Sequence, residues 1–155
     1  MSVGAWVVLV AVVAALAFGG YRALTDGRFR GTKSLVEEGR SPVSKPGDPT
    51  SDLWSHVTTA IPGAALGEKA TLLQFSSAFC APCRATRRTL AEVAEVVPGV
   101  QHLEVDAEHH LDLVRALGIL RTPTTIVLDP TGHEVTRASG APRKDQVLAA
   151  LGSAG

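Results

Sequence analysis

Cysteine is nearly absent from this chain, with two in 155 residues. Two cysteines cannot build a disulfide-rich scaffold, nor a four-thiolate metal site within one chain. Net charge is absent too, because fifteen Lys and Arg offset fifteen Asp and Glu. No overall field therefore gathers nucleic acid or an anionic partner. The sequence opens "MSVGAWVVLVAVVAALAFGGYRAL", with no basic side chain before its apolar run. A secretory signal peptide needs such a basic start. No internal repeat is visible, and the single low-complexity tract is a Gly/Pro/Ser-rich stretch, Gly39 to Asp52.

The opening run is what the sequence has in excess. Val3 to Leu24 is almost wholly apolar, and the first charge is Arg22. About 20 helical residues at ~1.5 Å each cover a hydrocarbon core of ~30 Å. Residues 1–25 therefore read as a retained, single-pass anchor in contact with membrane lipid. The rival reading is a cleaved signal peptide ending near "ALA", Ala15 to Ala17; the run is long for that. Residues 26–51 read as a basic juxtamembrane segment and a flexible linker, and 52–155 as one folded domain. Roughly a hundred residues suffice for a single core. Arg22, Arg28, Arg30 and Lys33 follow the run, and only the α-amine precedes it. Positive charges stay inside, so the charge rule puts the domain on the cytoplasmic side of the cell membrane.

The domain alternates strand and helix. "TLLQFS" (Thr71 to Ser76) is a short apolar run, a buried strand by length. Cys83, Thr86, Leu90, Val93 and Val97 recur at helical spacing, and Pro98-Gly99 stops that helix. "VQHLEVDA" (Val100 to Ala107) and "TTIVLD" (Thr124 to Asp129) read as strands, and "HEVTRAS" (His133 to Ser139) as a hairpin partner. "HHLDLVRALG" (His109 to Gly118) and "RKDQVLAAL" (Arg143 to Leu151) read as helices, and a short helix fits within Leu53 to Leu66. The order argues an α/β domain with a mixed central sheet flanked by helices.

Cys80 and Cys83 sit where the first strand hands over to a helix, in "FCAPC". Cys80 falls at the helix N-terminus, where unpaired N–H groups and the helix dipole favour an anion. Pro82 lies in the first turn, where proline costs little. A thiolate at Cys80 is stabilised, and its pKa should fall below about 8.5. Cys83 lies on the apolar stripe and faces the core. That asymmetry suits thiol–disulfide exchange, with Cys80 as nucleophile and Cys83 as resolving thiol. Two plainer readings stand beside it: half of a zinc site, and a structural pair. Zinc would need nitrogen ligands from His102, His109, His110 or His133, but no H-x₃₋₅-H spacing occurs. No metal and no diffusible cofactor is called for, since the cysteines are themselves the redox centre.

From about Asp52 to Leu151 the chain resembles the thioredoxin family. "FCAPC" resembles its active-site motif, "VDAE" (Val105 to Glu108) its strand end, "GILRTPTT" (Gly118 to Thr125) its cis-proline loop, and "SGAP" (Ser139 to Pro142) its late glycine turn. The N-terminal run with "DGRFRGT" (Asp26 to Thr32) also resembles small membrane-anchored thioredoxin-like proteins of actinobacteria. The resemblance implies a thioredoxin fold preceded by one transmembrane helix. It also implies that Thr122–Pro123 is cis beside Cys80, with substrate bound by Phe79, Ala81, Pro82, Thr122 and Pro123. Proline offers no N–H, which leaves the Thr122 backbone to pair with an extended substrate by strand addition. The family's buried aspartate is matched by Gln74 and its partnering lysine by His102; Gln74 cannot take a proton, and His102 is either a surrogate relay or inert.

The activity implied is reduction of protein disulfides near a membrane, with protein thiols and an unidentified electron donor or acceptor as partners and no nucleic acid. A disulfide donor or isomerase on the extracytoplasmic side is the alternative, as is a binding module whose dithiol is vestigial or metal-bound.

Overall fold

The computed structural model describes residues 3–25, 29–31 and 53–154, and within the first helix the side chains of residues 4 and 6–21. The elements in chain order are α1 (Val3–Thr25), β1 (Phe29–Gly31), α2 (Leu53–Ala60), β2 (Ala70–Ser76), α3 (Ala81–Val96), β3 (Val100–Asp106), α4 (Leu111–Ala116), β4 (Thr124–Leu128), β5 (Glu134–Ser139) and α5 (Lys144–Leu151). The strands form one mixed sheet in the order β1-β5-β4-β2-β3, with β2 and β3 parallel and the other pairs antiparallel.

β2 is central and buried along its whole length. Its side chains alternate between two apolar layers, as the period of a strand dictates. Leu73 and Phe75 pack with Leu53 and Val57 of α2, Leu113 of α4, Val105, Ile126 and Leu128. Leu72 packs on the other face with Leu90 and Val93 of α3, Val127, and Val147 of α5. The helical stripe expected after Cys83 is the buried side of α3: Cys83, Thr86, Leu90 and Val93. Val97 caps its end and packs partly buried on the same layer.

α1 is a single helix of 23 residues. Its large side chains are exposed on every side, with Trp6, Leu9, Val13, Leu16 and Phe18 between 54% and 71% accessible. Among the described residues, no helix is long and apolar enough to cross a membrane.

Two elements differ from the sequence reading. Phe29–Gly31, read as part of the basic juxtamembrane segment, joins the sheet edge, with Phe29 opposite Ala138 and Gly31 opposite Thr136. Three residues of strand are too few to show an alternation. The rest of the expected linker lies outside the described residues. The helix expected from His109 begins only at Leu111. Asp106 delays it, because its carboxylate accepts the Glu108 N–H at 2.9 Å and contacts His109 Nδ1 at 2.8 Å, while its carbonyl contacts His110 Nδ1 at 3.0 Å. Both histidines are spent on closing that turn.

Gly67 tightens the entry to β2. A Cβ there would lie 2.2 Å from the Ala70 carbonyl oxygen and 2.8 Å from the Gln101 nitrogen. Its N–H donates to Thr71 Oγ1 at 2.9 Å. Gly67→Ala must push backbone apart, and it is expected to cost about 1–3 kcal/mol, the range for overpacking a well-filled site. Urea unfolding measures this; an unchanged midpoint would mean the β2–β3 entry yields freely.

Candidate active site

The end of β2 and the start of α3 build the site. Cys80 is the N-cap of α3 in extended conformation, and Pro82 occupies the first turn. The Cys83 N–H donates to Cys80 Sγ at 3.1 Å. The same N–H also lies 3.1 Å from the Cys80 carbonyl, so it is shared between the carbonyl and the capping sulfur. Cys80 is half-buried and Cys83 is 2% exposed. The two are joined as a disulfide, with Cα atoms 5.2 Å apart. The asymmetry expected from the sequence is thus present in the fold. Phe79, at 99% exposure, stands beside the pair in solvent, with Ala81 and Pro82 exposed on the first turn.

The Thr122–Pro123 peptide is cis. Its loop is tied to the loop before Cys80 by Ser77 Oγ and Thr122 Oγ1, 3.1 Å apart. From the other side, the Gly140 N–H donates to the Pro123 carbonyl at 2.7 Å, and Arg121 Nη2 donates to the Ser139 carbonyl at 2.6 Å. Among the described residues, the Thr122 backbone N–H and C=O have no protein partner. The Ser77–Thr122 bond escaped the sequence reading, because two hydroxyls 45 residues apart carry no local signal.

Behind the disulfide lies a polar layer. Gln74 is 0% exposed, opposite Thr125 of β4 and Glu104 of β3 in the sheet. Gln74 Nε2 donates to the Cys83 carbonyl at 3.1 Å, and Gln74 Oε1 lies 3.1 Å from His102 Nε2. With the amide's donor end committed to a carbonyl, His102 must donate from Nε2. The sequence pairing of Gln74 with His102 is therefore a hydrogen-bonded chain. It reaches Cys83 at the carbonyl, however, not at the sulfur, and an amide holds no titratable proton. Gln74 is a positioning residue. Thr86 and Thr125 complete the layer, and neither buried hydroxyl has a hydrogen-bond partner among the described residues.

Burial pushes His102 below its usual 6.5; Glu104 opposes this, and Arg87 reinforces it. Arg87 and Glu104 meet at 3.4 Å. Arg84 and Arg88 are exposed, and Arg84 lines a cavity with Cys83, Arg87, Glu104 and Asp106. His109 pairs with Asp106 and His133 with Asp129. Among the described residues no cluster could hold a metal ion.

A lowered histidine pKa has a definite sign in stability. The unfolded chain takes up a proton near pH ~6.5 while folded His102 resists it. The stability is therefore fully present above that pH and is lost as pH falls from there toward the lower folded value. Urea midpoints are expected to drop between about pH 7.5 and about pH 5.5, and to drop less in His102→Asn. Equal drops in both proteins would show that His102 titrates normally.

A family profile for the thioredoxin-like domain matches residues 59–155, more than half of the chain. Thioredoxin H4-1 of Oryza sativa subsp. japonica is 31% identical over 100 residues, covering 63% of this chain and 73% of its own. The thioredoxin of Mycoplasma genitalium is 28% identical over 81 residues, covering 52% and 78% respectively. Among solved structures, the short form of thioredoxin F from spinach chloroplast superposes with a TM-score of 0.52 at 28% identity, over 65% of this chain and 84% of that one.

Proposed function

Because the chain belongs to the thioredoxin-like domain family and is a thiol–disulfide oxidoreductase, we propose that it reduces protein disulfides while held at the cell membrane by α1. The carrying observation is the N-cap position of Cys80, with the Cys83 N–H directed at its sulfur and Cys83 buried behind it. In the reduced protein the Cys80 thiolate attacks one sulfur of a partner disulfide. That S–S bond breaks, a Cys80–partner disulfide forms, and the expelled partner thiolate takes a proton. Cys83 then loses its proton and attacks Cys80 Sγ. This closes the Cys80–Cys83 bond and releases the partner's second thiol. Two electrons and two protons have moved to the partner, and a separate electron donor must return them.

Substrate would lie along Phe79, Ala81 and Pro82 on one side and Thr122 and Pro123 on the other. The open Thr122 backbone groups suit an added strand. What supports membrane anchoring is the apolar run within α1, whose described side chains from Trp6 to Tyr21 are exposed. An exposed apolar run of this kind suits an apolar surrounding. Arg22, Arg28, Arg30 and Lys33 after it favour a cytoplasmic domain. If so, intact cells stripped of their wall should shield the domain from added protease; digestion without lysis would place it outside.

Cys83→Ser should accumulate mixed disulfides at Cys80, and Cys80→Ser should not. Trapping on Cys83 instead would reverse the two roles. A reduction potential near the ~−270 mV of thioredoxin would support a reductant, and one near the ~−120 mV of a strong oxidant would contradict it.

Gln74 stands where a proton acceptor would help Cys83 resolve the intermediate. Gln74→Asp should speed resolution, by ~10²–10⁴ at the very most. It should also cost about 1–3 kcal/mol of stability, because the Cys83 carbonyl loses its donor. Stopped-flow turnover and urea unfolding together test this; a folded variant with no gain at any pH would contradict it.

A further inference from the structure

The register of β1 decides how the dithiol is presented. β1 runs antiparallel to β5, and β5 antiparallel to β4, so β1 and β4 point the same way. β4 starts directly after Pro123, at the active-site end of the sheet. One row crosses the sheet through Phe29, Ala138, Thr125 and Gln74. Gln74 is the residue bonded to the Cys83 carbonyl. The chain thus enters the sheet at the level of the dithiol and runs away from it. Three strand spacings of about 4.8 Å put Phe29 roughly 14 Å from β2 across the sheet.

Between the end of α1 at Thr25 and Phe29 lie only residues 26–28. Four Cα–Cα steps of ~3.8 Å reach no more than about 15 Å. The anchor is therefore not joined to the domain through a long linker. The Gly/Pro/Ser-rich stretch falls after β1, inside the domain's own chain path. At the same end of the sheet two large apolar side chains stand free: Phe79, next to Cys80, at 99% exposure, and Leu120, three residues before Pro123, at 95%. They lie on the two loops of the site, and nothing among the described residues covers them.

We propose that the dithiol faces the bilayer at short range and that its substrate is a disulfide in the juxtamembrane segment of an integral membrane protein, docked through Phe79 and Leu120. The inference rests on the membrane reading above. The short tether holds Cys80 within a narrow distance of the membrane surface, and the apolar pair suits a partner segment that emerges from lipid. A disulfide far from the bilayer would be out of reach. Electron balance is that of the exchange already described: the partner disulfide is reduced, and Cys80–Cys83 is oxidised.

The test uses the full chain in phosphatidylcholine–phosphatidylglycerol nanodiscs. Retention on the lipid after an alkaline carbonate wash tests the anchor by itself. The probe is a disulfide peptide fused to a transmembrane helix through a spacer of about three or about thirty flexible residues. The short-spacer disulfide should be reduced at least about tenfold faster, through its higher effective concentration at the dithiol. Insertion of about twenty Gly/Ser residues between Thr25 and Asp26 should abolish that preference. The insertion variant's rate on a soluble disulfide peptide reports that its fold is intact. Leu120→Ser should raise the KM for the short-spacer probe by about tenfold, the worth of one apolar contact. Equal rates on both spacers, or a preference that survives the insertion, would overturn the proposal while leaving the anchor in place. A protein that washes off the lipid would overturn both readings.

Discussion

The hydrogen bond from the Cys83 N–H to Cys80 Sγ is the interaction on which the site depends. It exists because a fully buried strand, β2, ends just before a helix whose N-cap is a cysteine. At that position the helix offers the Cys83 N–H and the positive end of its dipole. Sulfur is a weak acceptor when protonated and a strong one as thiolate. The same geometry that caps α3 therefore favours ionisation of one cysteine and not the other. Cys83, one turn on, is carried into the core by the apolar stripe that packs Leu90 and Val93 on the sheet.

The layer behind the pair sets the character of the chemistry. Gln74 holds the Cys83 carbonyl and is itself bonded to His102, whose charged form burial disfavours. A neutral layer avoids the cost of a buried ion. It also leaves deprotonation of Cys83 without an obvious base at the sulfur. The Arg87–Glu104 ion pair is partly exposed, and both residues line a cavity with Cys83. On the roles proposed above, with Cys80 attacking and Cys83 resolving, this layer gives the resolving step no added base.

Much of this was legible in the sequence, for identifiable reasons. β2, β3 and β4 are short runs with β-branched or leucine side chains, and α3 carries a stripe at helical spacing after a proline in its first turn. The two cysteine positions followed from those elements. What stayed hidden depends on contacts between distant residues. The β1 pairing is set by the edge of β5 and not by its own composition. The late start of α4 comes from Asp106 spending its oxygens on Glu108, His109 and His110. The Ser77–Thr122 link and the Gln74–Cys83 carbonyl bond join loops and layers that only the folded sheet brings together.

The central claim is that the helix N-terminus makes Cys80 the thiolate of the pair. Titration of the reduced protein by thiolate absorbance, with Cys80→Ser and Cys83→Ser proteins alongside, measures it most directly. The account predicts that Cys80 ionises well below the ~8.5 of a free thiol and that Cys83 ionises above it. Two thiols titrating together near ~8.5, or Cys83 ionising first, would contradict it.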